Sequence, residues 1–335
     1  MAHVLPGEAW TSEGIEERLA PLYERLRLPR GRLEMMTGIR ERRVWPEGTR
    51  PSEASVRAGE AVLAVAPGLP PVDLLVHAAV SRDRLEPATA AYVHKDLGLG
   101  RETQIFDLSN ACLGFLNAMV VAGGLIEAGL ARVALVVAGE NGRPLLERTI
   151  RTLSEGDFDR RSIKPYFANL TIGCGAVGML LCDRALVPGD SAFGDLEFGI
   201  AGTDGSFSHL CEGDSAAGGG LEMRTDSEAL LEAGIGLASE TWDRFREADP
   251  GGGRFDRIIT HQVGKTHQRR LHEGLGIDPA LDWASYPTIG NVGSVACPLT
   301  LSLAAEENAV PAGARIALLG IGSGLSSVML SVRKS

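Results

Sequence analysis

No stretch of this 335-residue chain approaches the roughly 18 uninterrupted apolar residues of a membrane span, although 44% of its residues are hydrophobic. The N-terminus, Met1-Ala2-His3-Val4-Leu5-Pro6-Gly7-Glu8, lacks both a basic leader and an apolar signal core, so a cytoplasmic location is expected. Positive charge is in short supply: 33 Lys and Arg stand against 43 Asp and Glu, a formal net charge of −10. Nucleic acid as a partner is thereby disfavoured, because it needs a basic footprint. Cysteine is sparse and scattered. Its five positions, Cys112, Cys174, Cys182, Cys211 and Cys297, form no C-x-x-C pair and no grouping with zinc-like spacing, so reduced thiols and no structural metal are expected.

What is present is an alternation of strand-like and helical runs punctuated by Gly and Pro, the pattern of a layered α/β protein. Strands are expected in Val72–Ala79, Thr103–Phe106, Arg132–Ala138 and Arg257–Thr260. A Gly-rich turn followed by a buried strand is expected in Thr171–Leu181, and the C-terminal Ile316–Leu330 repeats that design. Two halves that end alike suggest an internal duplication with its boundary near Arg184–Asp190, giving units 1–185 and 186–335. The Gly-rich segments Ser215–Gly220 and Asp249–Gly253 read as loops, and neither feeds a helix in the manner of a phosphate-binding motif.

Three positions carry chemistry. Cys112 follows Phe106-Asp107-Leu108-Ser109-Asn110-Ala111 and precedes a run that is apolar nearly all round, so a buried helix is expected to start there and to stabilise a thiolate at its N-terminus. His261 ends the strand-like Arg257-Ile258-Ile259-Thr260. Asn291 lies in Gly290-Asn291-Val292-Gly293-Ser294. Read alone, any one of them is an ordinary packing residue.

Together these runs resemble the active-site segments of thiolase-superfamily condensing enzymes, in the branch of beta-ketoacyl-acyl carrier protein synthase III, whose catalytic Cys, His and Asn map onto Cys112, His261 and Asn291. The resemblance implies a thiolase fold, a five-layered αβαβα sandwich of two pseudo-repeated halves. It implies an oxyanion hole from the backbone N–H groups of Cys112 and Ser323, the latter in Gly322-Ser323-Gly324. It also puts the basic runs Arg40-Glu41-Arg42-Arg43 and Lys265–Arg270 near the mouth of an acyl-thioester tunnel, where Arg40, Arg43 and Lys265 would hold coenzyme A phosphates. Coenzyme A thioesters are then substrates and no bound cofactor is implied. Family members begin with a strand before the segment like Leu5-Pro6-Gly7-Glu8. This chain starts almost at that strand's end, so a shortened first strand or a misassigned start is expected.

A condensing enzyme must park an acyl group on a good leaving nucleophile and generate an α-carbanion beside it. Decarboxylative synthases expel carbon dioxide and need no strong base, whereas removal of an unactivated α-proton requires one. Where the decarboxylative relatives commonly place an aromatic residue before a proline, this chain has Glu86 in Ser81-Arg82-Asp83-Arg84-Leu85-Glu86-Pro87. That run, with Met36–Trp45, Leu170–Ala176 and Leu319–Leu325, is similar to the OleA-type branch, the condensing enzymes of bacterial long-chain olefin biosynthesis. Gly264 in His261-Gln262-Val263-Gly264, where the synthase III branch has asparagine, points the same way. The similarity implies head-to-head condensation of two fatty acyl-CoA molecules to a 2-alkyl-3-oxo acid. It also implies a homodimer in which Glu86 reaches the neighbouring site, and lipid-biosynthesis enzymes downstream. The alternatives are a decarboxylative ketosynthase or acyltransferase of fatty-acid or polyketide synthesis, and a non-catalytic subunit of the same fold. Of the other histidines, His3, His77, His94, His209, His267 and His272 are expected to be surface or packing residues, and Cys174 and Cys182 core.

Overall fold

The strand Val133–Asn141 is buried from Val133 to Glu140, which a strand can be only when both faces of its sheet are covered. It lies inside a five-stranded sheet ordered Ala2–Val4, Cys174–Cys182, Val133–Asn141, Leu74–His77 and Gln104–Asp107. The structure, a computed structural model, describes residues 1–187, 193–215 and 221–335. Part of the expected boundary segment (188–190) and of the first Gly-rich loop (216–220) lies outside the described residues. The second Gly-rich segment, 249–253, forms a turn, as expected.

A four-stranded sheet in the second half repeats the first in order and sense. Gly194–Thr203, Ser326–Lys334, Arg315–Gly322 and Arg257–Thr260 pair antiparallel, antiparallel and parallel, as Ala2–Val4, Cys174–Cys182, Val133–Asn141 and Leu74–His77 do. The position equivalent to Gln104–Asp107 is reduced to one parallel bridge between Ile258 and Asp282. The C-terminal apolar run, expected as turn plus strand, is a hairpin of two strands joined at Ser323-Gly324-Leu325. The first strand, Ala2–Val4, is three residues long.

Between the sheets lie the helices Gly114–Glu127 and Ala296–Glu306, each touching strands of both halves. Phe115, Leu116 and Met119 from one and Leu299, Leu301 and Ala304 from the other pack into a single core with Val136, Val177, Leu318 and Val328. Pro51–Ala64 and Thr89–Asp96 cover the outer face of the first sheet. Ser227–Ala248 covers the second, with Lys265–Leu275 packed beside it. The result is the five-layered thiolase fold. Close approach is bought with glycine: a Cβ on Gly178 would lie 2.4 Å from the Ala58 carbonyl oxygen of the covering helix. One expectation fails in part. The helix after Cys112 is not buried all round, because Val120 and Val121 are 46% and 36% exposed.

Candidate active site

Cys112 sits in the short turn from Gln104–Asp107 into the central helix. Ala111 before it has φ 45°, a left-handed conformation that costs a non-glycine residue about 1–2 kcal/mol. Gly114, where an added Cβ would stand 3.1 Å from the Ala78 carbonyl oxygen, lets the helix start directly against the first sheet. Cys112 is only partly buried and faces a cavity. Its pKa departs from the thiolate expected at a helix N-terminus. Burial, and next the charge of Glu140, push the thiol up to about 12, and only its own backbone N–H acts in the opposite direction. The helix begins two residues later, at Gly114, and desolvation of the anion outweighs the favourable dipole.

His261 follows the strand Arg257–Thr260, and its N–H continues the parallel pairing onto the Leu319 carbonyl at 3.0 Å. The strand end is tied down by Asp282, which accepts from the Thr260 N–H (3.1 Å) and hydroxyl (2.7 Å), from Gln268 and from His272. Gln262 adds a second tie: its Oε1 accepts from the Ser285 and Tyr286 amides. Burial, with His267 nearby, drives the His261 pKa down to about 3, so the ring is neutral at pH 7.

Asn291 stands before the other central helix, in the place that Cys112 takes before the first. Its backbone bridges the halves, N–H to Thr171 (2.9 Å) and carbonyl to Gly173 N–H (2.8 Å). Its Oδ1 accepts from the Gly293 N–H at 3.1 Å.

Cys112, His261, Asn291 and Ser323 all line one cavity of about 1110 Å³, at the upper limit of ordinary ligand pockets. A Cβ on Gly322 would lie 3.6 Å from the Cys112 backbone nitrogen, so the Gly322-Ser323 turn runs directly past the cysteine amide. The walls are largely apolar, with Leu22, Leu145, Leu153, Phe167, Leu210 and Leu231 among them.

The expected phosphate-binding cations are not in this wall. Arg43 lies on the half-buried side of an alternating strand, Glu41–Val44, and pairs with Glu41 at 3.4 Å, while Arg40 is exposed outside the cavity. Lys265 is exposed between Gly264 and Thr266, which do line it. Arg32, Arg160, Arg161 and Lys164 line the cavity instead, brought there by tertiary contacts such as Arg160 to the Leu26 and Arg27 carbonyls. His209 and His267, expected to be surface or packing residues, also face the cavity, as does Cys211. Cys174 is core, while Cys297 is buried with its Sγ toward the Leu319 carbonyl and does not face the cavity.

At Gly264 an added Cβ would lie 2.8 Å from the Thr37 carbonyl oxygen, and φ is 152°. The helix Arg32–Thr37 therefore occupies the space that an asparagine would need. Glu86 is exposed and does not line the cavity of its own chain. Its loop is rooted by Asp83, which accepts from the Ser52 N–H (2.9 Å) and hydroxyl (2.6 Å), and by Asp107, which accepts from the Thr89 and Ala90 amides.

Arg42 and Glu140 are among the buried charged residues that the sequence does not mark as buried. Arg42 is fully buried and donates to the Trp10 and Leu170 carbonyls and to Ser12; burial lowers its pKa to about 10. Only the burial alternation of its strand hints at this. Glu140, in the cavity wall, accepts five hydrogen bonds from two loops.

Duplicated halves that set a cysteine before one central helix and an asparagine before the other place the chain among the thiolase-fold acyltransferases. Family models agree: residues 106–178 match 3-oxoacyl-[acyl-carrier-protein] synthase III and residues 248–334 its C-terminal part. The acyl-CoA:acyl-CoA alkyltransferase of Shewanella oneidensis is 34% identical over 99% of this chain and 97% of its own. The beta-ketoacyl-[acyl-carrier-protein] synthase III of Deinococcus deserti is 30% identical over 88% and 81%. The crystal structure of a variant of Xanthomonas campestris OleA with bound lauric acid and lauroyl-CoA superposes with a TM-score of 0.92 at 34% identity, covering 99% of this chain and 97% of that one. The chain belongs to the synthase III family of condensing enzymes and, within it, to the acyl-CoA:acyl-CoA alkyltransferase group.

Proposed function

We propose that this enzyme joins two fatty acyl-CoA molecules head to head by a non-decarboxylative Claisen condensation. The observation that carries the reading is the meeting of Cys112, His261 and Asn291 in one large, mostly apolar cavity. As sulfur attacks the first thioester, its proton passes to the departing coenzyme A sulfur, relayed by the neutral His261 imidazole without a lasting imidazolium. The second acyl-CoA then loses an α-proton to Glu86 of the partner subunit. His261 and Asn291 donate to its thioester oxygen, where enolate charge develops. The carbanion attacks the acyl-Cys112 carbonyl, whose oxygen faces the Cys112 and Ser323 N–H groups. A carbon–carbon bond forms, the carbon–sulfur bond breaks, and the thiolate recovers through solvent the proton that Glu86 had removed, which restores both groups. Water then hydrolyses the remaining thioester to give a 2-alkyl-3-oxo acid and coenzyme A.

Glu140 is the carboxylate whose charge acts on Cys112. Its oxygens are occupied by five donors from the protein, so they are engaged with the two loops and not turned to a substrate, which supports a base from outside the cavity. A homodimer supplies one. The strand Gln104–Asp107 is the open edge of its sheet, and Val120, Val121 and Leu85 are exposed on the helix and loop near it. Arg32, Arg160, Arg161 and Lys164, with Lys265 beside them, are suited to coenzyme A phosphates.

A division at 185/186 is supported by the first sheet ending at Cys182 and the second beginning at Gly194. Among the described residues no helix is long and apolar enough to cross a membrane. A cytoplasmic enzyme that hands its product to later enzymes of lipid synthesis is the reading that goes with acyl-CoA substrates.

Mass spectrometry of the product formed from a single acyl-CoA supplied alone tests the reaction. A product carrying two acyl chains is expected. Free fatty acid as the sole product, or condensation only with malonyl-carrier protein and release of carbon dioxide, would overturn it in favour of the decarboxylative alternative.

A further inference from the structure

Glu140 is the penultimate residue of the central strand Val133–Asn141 and is buried in the cavity wall. Its Oε1 accepts from the Val80 N–H (2.9 Å), the Ser294 N–H (3.0 Å) and the Ser294 hydroxyl (2.6 Å). Its Oε2 accepts from the Ser81 N–H (3.1 Å) and hydroxyl (2.8 Å). All five donors are neutral, and no Lys, Arg or His forms an ion pair with Glu140 among the described residues. A carboxylate without a cation is an expensive group to bury unless its hydrogen bonds serve a purpose.

The two loops it grips are those that matter for condensation. Val80 and Ser81 root the loop that presents Glu86. Ser294 follows Asn291 by three positions, and Gly293 between them donates to the Asn291 side chain. Gly293 has φ +56°, and a Cβ there would lie 2.9 Å from Glu140 Oε1, so this glycine is what lets the carboxylate reach the loop. Ser81 closes the ring by accepting from the Asn141 N–H at 3.1 Å.

We propose that Glu140 is a positioning residue that clamps the Asn291 loop and the root of the Glu86 loop to one rigid strand, so that the donor in one active site and the base sent to the other are set together. This rests on the assignment of Asn291 and Glu86 above. Through the clamp, a shift at either loop is transmitted to the site of the neighbouring subunit.

Glu140→Gln tests it. The amide nitrogen cannot accept, so it turns a donor against a donor at one of the two loops. Acylation of Cys112 should persist within a few-fold, while condensation should fall about 10²-fold, as expected for misplacement of reacting groups by about 1 Å. The pH profile of Cys112 alkylation by iodoacetamide should move to lower pH, because a negative charge beside the thiol is removed. An equal loss of acylation and condensation, or an unmoved alkylation profile, would overturn the proposal.

Should Glu140→Gln fail to fold, Ser81→Ala and Ser294→Ala each delete one hydroxyl donor and leave the backbone bonds. Both should slow condensation more than acylation, and two variants with wild-type condensation would overturn the clamp. Asn291→Ala and Glu86→Gln run alongside. Wild-type condensation in both would overturn the underlying assignment, whatever Glu140 does.

Discussion

Asn291 gives its side-chain oxygen to the Gly293 amide at 3.1 Å, and that bond settles which way the carboxamide faces. An N–H needs an acceptor, so the oxygen is committed to Gly293 and the NH₂ group remains as the side chain's donor. If this donor serves the enolate, Asn291→Ala should lower condensation by on the order of 10²–10³. Acylation of Cys112, followed by intact-protein mass, should survive better. Equal loss of both steps would mean a structural role instead.

Glu86 is exposed in its own chain and outside its own cavity, as a base acting across an interface must be. Glu86→Gln keeps the size and removes the basicity, so acyl-Cys112 should accumulate while carbon–carbon bond formation stalls. Mixing Glu86→Gln with Cys112→Ala subunits should restore activity, because one composite site then holds both intact groups. Verified heterodimers without activity would end the trans assignment.

Cys112→Ala and Cys112→Ser should abolish condensation, since neither methyl nor hydroxyl replaces a thiolate in both attack and departure. In the free enzyme the thiol is pushed up to about 12 by burial and then by Glu140. Iodoacetamide alkylation of Cys112 should therefore keep rising with pH beyond pH 9. A plateau near neutrality would show that the thiolate is stabilised after all.

Burial lowers His261 to about 3 and His267 to about 4, from an ordinary 6.5. Between those values and 6.5 the unfolded chain binds the protons that the folded chain refuses, so stability rises with pH across that window and is complete above it. The midpoint temperature of thermal unfolding should therefore fall as the pH drops from 7 toward 4. His267→Gln should flatten the slope; an unchanged slope would exclude His267 as a contributor.

Gly178→Ala places a Cβ 2.4 Å from the Ala58 carbonyl oxygen, with backbone on both sides of the contact. Neither the helix Pro51–Ala64 nor the sheet can yield cheaply, and a loss of about 1–3 kcal/mol in denaturant unfolding is expected. A neutral result would mean that the helix can slide on the sheet.

The sequence by itself determined whatever is encoded over a few neighbouring residues. The period of apolar runs marked the strands, and the likeness of the two halves suggested a duplication; that the sheets repeat in order and sense is visible only in the fold. Cys112, His261 and Asn291 could be singled out because their runs together resemble the active-site segments of the synthase III branch; read alone, each is an ordinary packing residue. Glu86 was singled out by the same resemblance, since a carboxylate in a loop is by itself an ordinary solvated group.

Tertiary structure decided the rest, because the partners lie far apart along the chain. Glu140 meets Val80 across 60 positions and Ser294 across 154, and Arg42 meets Leu170 across 128; no spacing rule reports such pairings. Arg40 and Arg43 differ from Arg32 and Arg160 only in where the fold turns them, since charge in a sequence has no direction. The same holds for the thiol of Cys112. A helix start was visible locally, but its pKa is set by desolvation, and burial exists only once the two halves have closed over the cavity.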